Sequence, residues 1–266
     1  DYPDARFDVH ETLQRMKLHP IFHRYLVGGE MMEWGAKTIP EGGYYSVPAR
    51  RHGDGLCIVG DSAGYVEVSS LKGIHYAMHS GILVARQIFE ALKLGDTSEA
   101  ALSGYTSAVD SSVIMKDLRK RRNMRLAFKD GFFAGGLKAG IMTLTGGAIP
   151  SGKITIEKDV AKIRQLGEAQ RKIRTDGELT FSKADAVYKS GNQTRDDIPQ
   201  HLIVGDDIRP EVAEMLVHMC PAGVYERDGG QLIVNAPNCI DCKATDVVGP
   251  RWTPREGGSG PAYRQM

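Results

Sequence analysis

Three of the four cysteines in this chain fall between positions 220 and 242, and no other feature constrains its fold as tightly. The first stands in Met219-Cys220-Pro221-Ala222-Gly223-Val224-Tyr225-Glu226, and after a turn-rich spacer the others stand in Asn238-Cys239-Ile240-Asp241-Cys242-Lys243-Ala244-Thr245-Asp246. A C-x2-C loop with a distant Cys-Pro is a spacing that holds an iron–sulfur cluster. The loop thiolates take one side of the cluster and the lone cysteine closes the other. Whatever else surrounds them, these two stretches have to meet in space. The loop stops one ligand short: a further cysteine is due at position 245, and the residue there is Thr245.

At 266 residues the chain can form one large domain or two small ones with a real core. Its 34 Lys and Arg nearly balance its 33 Asp and Glu, so no net field favours nucleic acid or an acidic partner. The basic run from Lys116 to Arg122 is a local exception and reads as a solvated helix face. Clustered cysteines in a chain of this length point to metal in a reducing compartment rather than to a secreted disulfide scaffold. No uncharged apolar stretch of roughly eighteen residues is present, so no spanning helix is expected, and no signal peptide is visible. The chain opens Asp1-Tyr2-Pro3 without an initiator Met and reads as a fragment or a processed chain.

Apolar spacing predicts a helix over Glu11 to Met16. Turn signals at Val27 to Glu30 and Pro40 to Gly43 bracket Met31 to Ile39 and predict a hairpin or meander there. Leu56 to Val59 is wholly apolar and is expected as a buried strand of a parallel sheet, with Cys57 a small core residue. Ile74, Met78, Ile82, Ala85, Phe89 and Leu92 recur at helical spacing, predicting a helix from Gly73 to Leu94 that Gly95 ends. A further helix is expected from about Ser98 to Leu126, interrupted near Gly104. Lys153 to Lys189 reads as a polar surface connection, and strands are expected at His201 to Val204, Gly223 to Tyr225 and Leu232 to Val234.

Gly60-Asp61-Ser62-Ala63-Gly64 after the apolar run, with a helix opening at Gly73 and Ile74, makes chemical sense as part of an FAD site. The Asp61 carboxylate can accept hydrogen bonds from ribityl hydroxyls. Small residues at Gly60, Ala63 and Gly64 let backbone approach the ligand. Free N–H groups at Gly73 and Ile74 can face the pyrimidine edge of the flavin and stabilise negative charge on its reduced form.

With these residues in view, Leu56 to Phe89 resembles the second FAD-binding segment of geranylgeranyl-reductase-type flavoproteins and of electron-transfer flavoprotein:ubiquinone oxidoreductases. The run C-P-A-G-V-Y-E…N-C-I-D-C-K…P-R-E-G-G-S-G-P-A-Y is similar to the fused ferredoxin-like domain of the second family. The opening L-x-G-G-x…W-G-A-K…P-E-G-G resembles that family's quinone-side sheet. The resemblance implies α/β and α+β architecture: the C-terminal part of a glutathione-reductase-like FAD-binding flavoprotein, then a ferredoxin-like iron–sulfur domain. Residues 1–48 would be part of the quinone-side or substrate-side sheet, 49–96 the end of the FAD domain, 97–180 a helical, membrane- and quinone-associated region, and 181–266 the iron–sulfur domain. The family's G-x-G-x-x-G pyrophosphate loop has no match here, so FAD is expected to be shared with an N-terminal half or a partner subunit.

Carried over residue by residue, the cluster ligands are Cys220, Cys239 and Cys242, with Thr245 in the fourth place. A [3Fe–4S] centre would suit three thiolates. A [4Fe–4S] centre would take oxygen from Thr245, Asp246 or solvent. Tyr225 is a candidate hydrogen-bond donor to the cluster sulfurs or an ordinary core tyrosine. The non-redox rival is zinc on the three cysteines and His218, and a decayed site persisting as a packing module is a further alternative. No catalytic acid or base is expected, and His75 and His79 read as surface or packing residues.

The implied function is electron transfer from a reduced electron-transfer flavoprotein, through the cluster and FAD, to ubiquinone or menaquinone. A geranylgeranyl-reductase-like isoprenoid reductase and a ferredoxin-like interaction module are the alternatives. The implied location is monotopic: the cytoplasmic face of a bacterial inner membrane or the matrix face of a mitochondrial one. Phe132, Phe133, Leu137, Ile141, Met142 and Leu144 would enter the interface, with Arg121, Arg122, Arg125 and Lys138 meeting anionic head groups. A helix and loop buried against a sheet is the alternative for this stretch.

Overall fold

The computed structural model describes residues 4–155, 167–168, 171–195, 197–205, 208–248, 253 and 255–264. It is a mixed architecture of helices and two small antiparallel sheets. Contacts divide it into two units, residues 39–156 and residues 1–38 with 157–266.

In the first unit, His52–Gly53 (β1) and Leu56–Cys57 (β2) form a short antiparallel hairpin, turned at Gly55 with φ +65°. The expected buried parallel strand at Leu56 to Val59 is therefore corrected. Leu56 is exposed, and the described residues offer no parallel neighbour to cover the run on both faces. Cys57 does pack against the core, and burial raises its thiol pKa.

The long helix forms as the periodicity predicts, Ile74–Leu94 (α3). Gly95 closes it at φ +67°, its N–H on the Leu92 carbonyl at 3.1 Å and that of Asp96 on Ala91 at 3.1 Å. The face it buries is Tyr76, Ser80 and Ala91, whereas Ile74, Met78, Ile82, Phe89 and Leu92 are exposed. Glu99–Ser111 (α4) and Val113–Lys120 (α5) replace the single helix expected to break near Gly104. The break falls at Ser112, whose N–H ends α4 on the Val109 carbonyl and whose Oγ accepts from the Ile114 N–H to start α5. Gly104 stays helical because its missing Cβ leaves space for the Gln87 side chain, which donates to the Ala101 carbonyl at 2.7 Å. Tyr65, Tyr76, Tyr105, Val109, Ile114 and Leu118 form the core, and the Tyr105 hydroxyl donates to the Ile58 carbonyl at 2.9 Å. Phe132–Leu144 (α6) completes this unit.

The second unit begins with Val9–Leu18 (α1), capped by Asp8, and Pro20–Leu26 (α2). Residues 29–42 form no strand, so the hairpin expected over Met31 to Ile39 is absent. The end of that stretch instead pairs with the cysteine loop: the Thr38 N–H donates to the Cys242 carbonyl. Buried hydrogen bonds tie α1 to the far end of the chain. His10 Nε2 lies 2.8 Å from the Phe181 carbonyl, and the Phe181 N–H donates to Gln14 Oε1 at 3.0 Å.

Lys183–Lys189 (α7) follows with a capping box of Ser182 and Asp185, then Pro210–Met219 (α8). Tyr225–Asp228 (β3) and Gln231–Val234 (β4) pair across Gly229-Gly230, both at positive φ, as the twist of a two-residue hairpin requires. The strand expected at Leu232 to Val234 lies within β4, whereas the one expected at Gly223 to Tyr225 begins only at Tyr225 and runs on to Asp228, and His201 to Val204 forms no regular strand. The core gathers Trp34, Leu202, Met215, Leu216, Val224 and Ile240 around Cys220. Part of the expected connection from Lys153 to Lys189 lies outside the described residues.

Candidate functional site

Helix α8 delivers the first cysteine. The Cys220 N–H closes the last turn on Leu216 at 3.1 Å, Pro221 cannot extend the helix, and the chain turns at Gly223 (φ +61°) into β3. That turn directs the backbone N–H groups of Ala222, Val224 and Tyr225 at the Cys220 sulfur. In the second stretch the Asp241 N–H donates to the Cys239 sulfur at 3.4 Å, and the Ala244 N–H faces Cys242.

Asp241 (φ +56°) and Lys243 (φ +65°) flank Cys242 in the left-handed region, a conformation costing roughly 1–2 kcal/mol per non-glycine residue. Its return is a loop with amides turned inward and carbonyls outward. The carbonyls are caught from outside. Thr38 donates its N–H and its hydroxyl to Cys242, both at 2.8 Å. Lys37 Nζ donates to the Asp241 carbonyl at 2.8 Å, and the Arg255 guanidinium holds the Cys239 carbonyl. Lys37 and Arg255 stand inside the W-G-A-K and P-R-E-G-G runs, but their contact with the cysteine loop, and that of Thr38, carried no signal, because nothing local links position 38 to position 242.

The three cysteines line one pocket, with Tyr225, Thr245 and Asp246 among the other walls. Burial pushes all three thiols up; for Cys239 and Cys242 the negative charge of neighbouring cysteines adds to it, and Cys242 reaches about 11. The inward amides oppose this. Burial and the nearby cysteines likewise raise the Tyr225 hydroxyl to about 12, against a hydrogen bond with Thr245. Three thiols ringed by amide donors are an anion-stabilising set that suits an iron–sulfur cluster.

Among the described residues no three His, Cys, Asp or Glu side chains converge as a single metal ion requires. A cluster spreads its ligands over several irons. His218, the nitrogen considered for zinc, stands 3.8 Å from Asp8 and 3.6 Å from Glu214 and does not line the pocket.

The six flavin candidates also come together, in the other unit. Gly60 to Ala63 forms a 3-10 turn, closed by Gly64 at φ +76°, and α3 starts at Ile74 with Gly73 as an N-cap that lends no side chain. A Cβ on Gly73 would lie 2.6 Å from Asp61 Oδ1, so the carboxylate sits directly over the helix start. The Gly60 N–H donates to Ser80 Oγ at 3.1 Å, and a Cβ on Gly60 would crowd Ala77 at 3.2 Å. Ala63 is fully buried in the core, whereas Asp61 and Ile74 are open to solvent. His75 is exposed and lies against the Tyr76 ring.

Residues 177–264 match the family model described as electron transfer flavoprotein-ubiquinone oxidoreductase, 4Fe-4S. Over its whole length the chain is 33% identical to the mitochondrial electron transfer flavoprotein-ubiquinone oxidoreductase of Caenorhabditis elegans, covering 48% of that protein. It is also 33% identical to the corresponding protein of Pseudomonas aeruginosa, covering 51% of it. With the mitochondrial protein of Homo sapiens the identity is 31%, covering 47%. Over its whole length the chain is thus similar to part of the electron transfer flavoprotein-ubiquinone oxidoreductases. It spans about half the length of these relatives.

The apolar helix α6 stands apart by its exposure. Phe132, Phe133, Leu137 and Leu144 are strongly exposed, and Ile141 less so. Met142 is corrected: it is 2% exposed and belongs to the interior. The nearby basic residues are partnered. Arg121 faces Glu67, Arg125 faces Glu41, Lys138 faces Asp130, and Arg122 donates to the Arg119 carbonyl at 2.8 Å. No helix among the described residues is long and apolar enough to cross a membrane.

Proposed function

We propose that this chain is the iron–sulfur portion, with part of the flavin site, of an oxidoreductase that takes electrons from a reduced electron-transfer flavoprotein and delivers them to a membrane quinone. The single observation that carries this is the pocket of Cys220, Cys239 and Cys242, ringed by inward amides, inside the segment that matches the family's 4Fe-4S model. When bound, an iron–sulfur cluster supplies one-electron exchange, and FAD adds the capacity to couple single electrons to a two-electron acceptor.

Cys220, Cys239 and Cys242 hold the cluster, and the amides of Ala222, Val224, Asp241 and Ala244 stabilise its negative charge. Tyr225, in the same pocket, tunes it through its hydroxyl. In the unit that carries α3, Asp61 would accept from the ribityl chain, Gly60, Ala63 and Gly64 would admit close backbone, and the N–H groups at Gly73 and Ile74 would stabilise charge on the flavin within a glutathione-reductase-like fold. The exposed apolar residues of α6 rest in the membrane interface, where the quinone, ubiquinone or menaquinone, is available.

Anaerobic reconstitution of the chain with iron and sulfide tests the central claim. Acid-labile sulfide should be present in the wild type and absent from a Cys239→Ser, Cys242→Ser double variant. Zinc uptake without sulfide would refute the redox reading.

A further inference from the structure

The cysteine pocket contains a donor that the cysteine spacing does not account for. His201 lines it with Cys220, Cys239 and Cys242. Its side chain is 4% exposed, and its Nε2 is buried with no hydrogen-bond partner. Such an atom is costly to leave unpaired, so an orphaned ring nitrogen on a residue that shares a pocket with three thiols calls for something that binds it. The residue is firmly placed: its carbonyl accepts from the Thr253 N–H at 2.7 Å, and the adjoining Leu202 is in the core. The rival donors are already engaged. Thr245 is hydrogen-bonded to Tyr225 and is neutral, while Asp246 is exposed and has a partner of its own.

We propose that His201 is the fourth protein ligand of a four-iron cluster, its Nε2 taking the iron that a cysteine at position 245 would otherwise hold. This rests on the iron–sulfur reading above and extends it by naming both the ligand and the number of irons. Coordination uses the Nε2 lone pair and leaves the ring proton on Nδ1. A neutral imidazole in place of a thiolate removes one negative charge from the centre and makes it easier to reduce.

The test compares wild type, His201→Ala and Thr245→Cys, each reconstituted anaerobically with ferrous iron and sulfide, with and without 15N-labelled histidine. Iron and sulfide analysis and pulsed EPR of the reduced state are the readouts. The wild type should hold four irons and show a nitrogen coupling that changes with the label. His201→Ala should lose that coupling and one iron, giving a signal in the oxidised state. Thr245→Cys should keep four irons, lose the coupling and become harder to reduce; it decides the matter alone if His201→Ala does not fold. Three irons in the wild type, no histidine coupling, or a coupling that survives in His201→Ala overturns the ligand assignment while the cluster stands. No labile sulfide in the wild type overturns both.

Discussion

Thr38 donates two hydrogen bonds to one acceptor, the carbonyl of Cys242, from its backbone N–H and from its hydroxyl, each at 2.8 Å. The two residues are 204 positions apart. Through this contact the segment after α2 holds the cysteine loop in the left-handed turns at Asp241 and Lys243. A Thr38→Val variant keeps the N–H bond and loses the other. It should cost about 1 kcal/mol of stability and release iron to a chelator several-fold faster after reconstitution. Unchanged bleaching kinetics would remove the clamp from the argument.

Acid should act through Asp8. Burial raises its pKa, but His218, the Lys183 ammonium at 3.0 Å and the Glu11 N–H outweigh that and hold it at about 2. The folded state therefore binds fewer protons at this carboxyl than the unfolded state does. Its stabilisation is complete above the ordinary value of 3.8 and is lost as pH falls through about 2. Roughly 2 kcal/mol is at stake. Denaturant melts between pH 5 and pH 2 should show a shallower acid decline for Asp8→Asn than for wild type.

Membrane contact through α6 predicts that vesicle binding depends on Phe132 and Phe133, which are 77% and 89% exposed. Burying one such ring contributes about 2 kcal/mol. A Phe132→Asp, Phe133→Asp double variant should bind phosphatidylcholine–cardiolipin vesicles at least tenfold more weakly in a sedimentation assay. Equal binding would leave this face for a protein partner.

The flavin corner predicts a linked effect of two substitutions. Asp61→Ala removes the acceptor, and Gly73→Ala introduces a Cβ where Asp61 Oδ1 would be 2.6 Å away. Each should weaken FAD binding about tenfold, in line with the loss of one hydrogen bond to a charged group. Fluorescence titration of FAD in the presence of the N-terminal half or partner subunit measures it, and the double variant should be little worse than either single one because both act through the same carboxylate. Additive losses would separate the two residues.

Local chemistry was readable from the chain because it depends on residues close in sequence. The C-x2-C loop, the Cys-Pro pair and the Gly95 stop of α3 are each written within a few positions. So was the existence of α3, though not its orientation: the period marked Ile74, Met78 and Phe89, while the face that packs is Tyr76, Ser80 and Ala91. A helix with apolar residues on more than one side does not announce which side meets its neighbour. The break between α4 and α5 was misplaced for a similar reason. Gly104 has the weaker helix propensity, but the space it leaves is filled by Gln87, and the Ser112 side chain caps the next helix.

By itself the sequence determined which atoms are available: three thiols, a missing fourth at Thr245, a carboxylate among small residues at Asp61 and a family-like C-terminal run. Only the tertiary structure decided how they are used. It took the outward carbonyls of the cysteine loop to Lys37, Thr38 and Arg255, and it placed a buried, unpartnered His201 nitrogen on the wall of the cysteine pocket. The physical reason is the satisfaction of buried polar groups. Whether a donor or acceptor finds a partner depends on chain segments hundreds of residues apart, and no local pattern encodes that pairing.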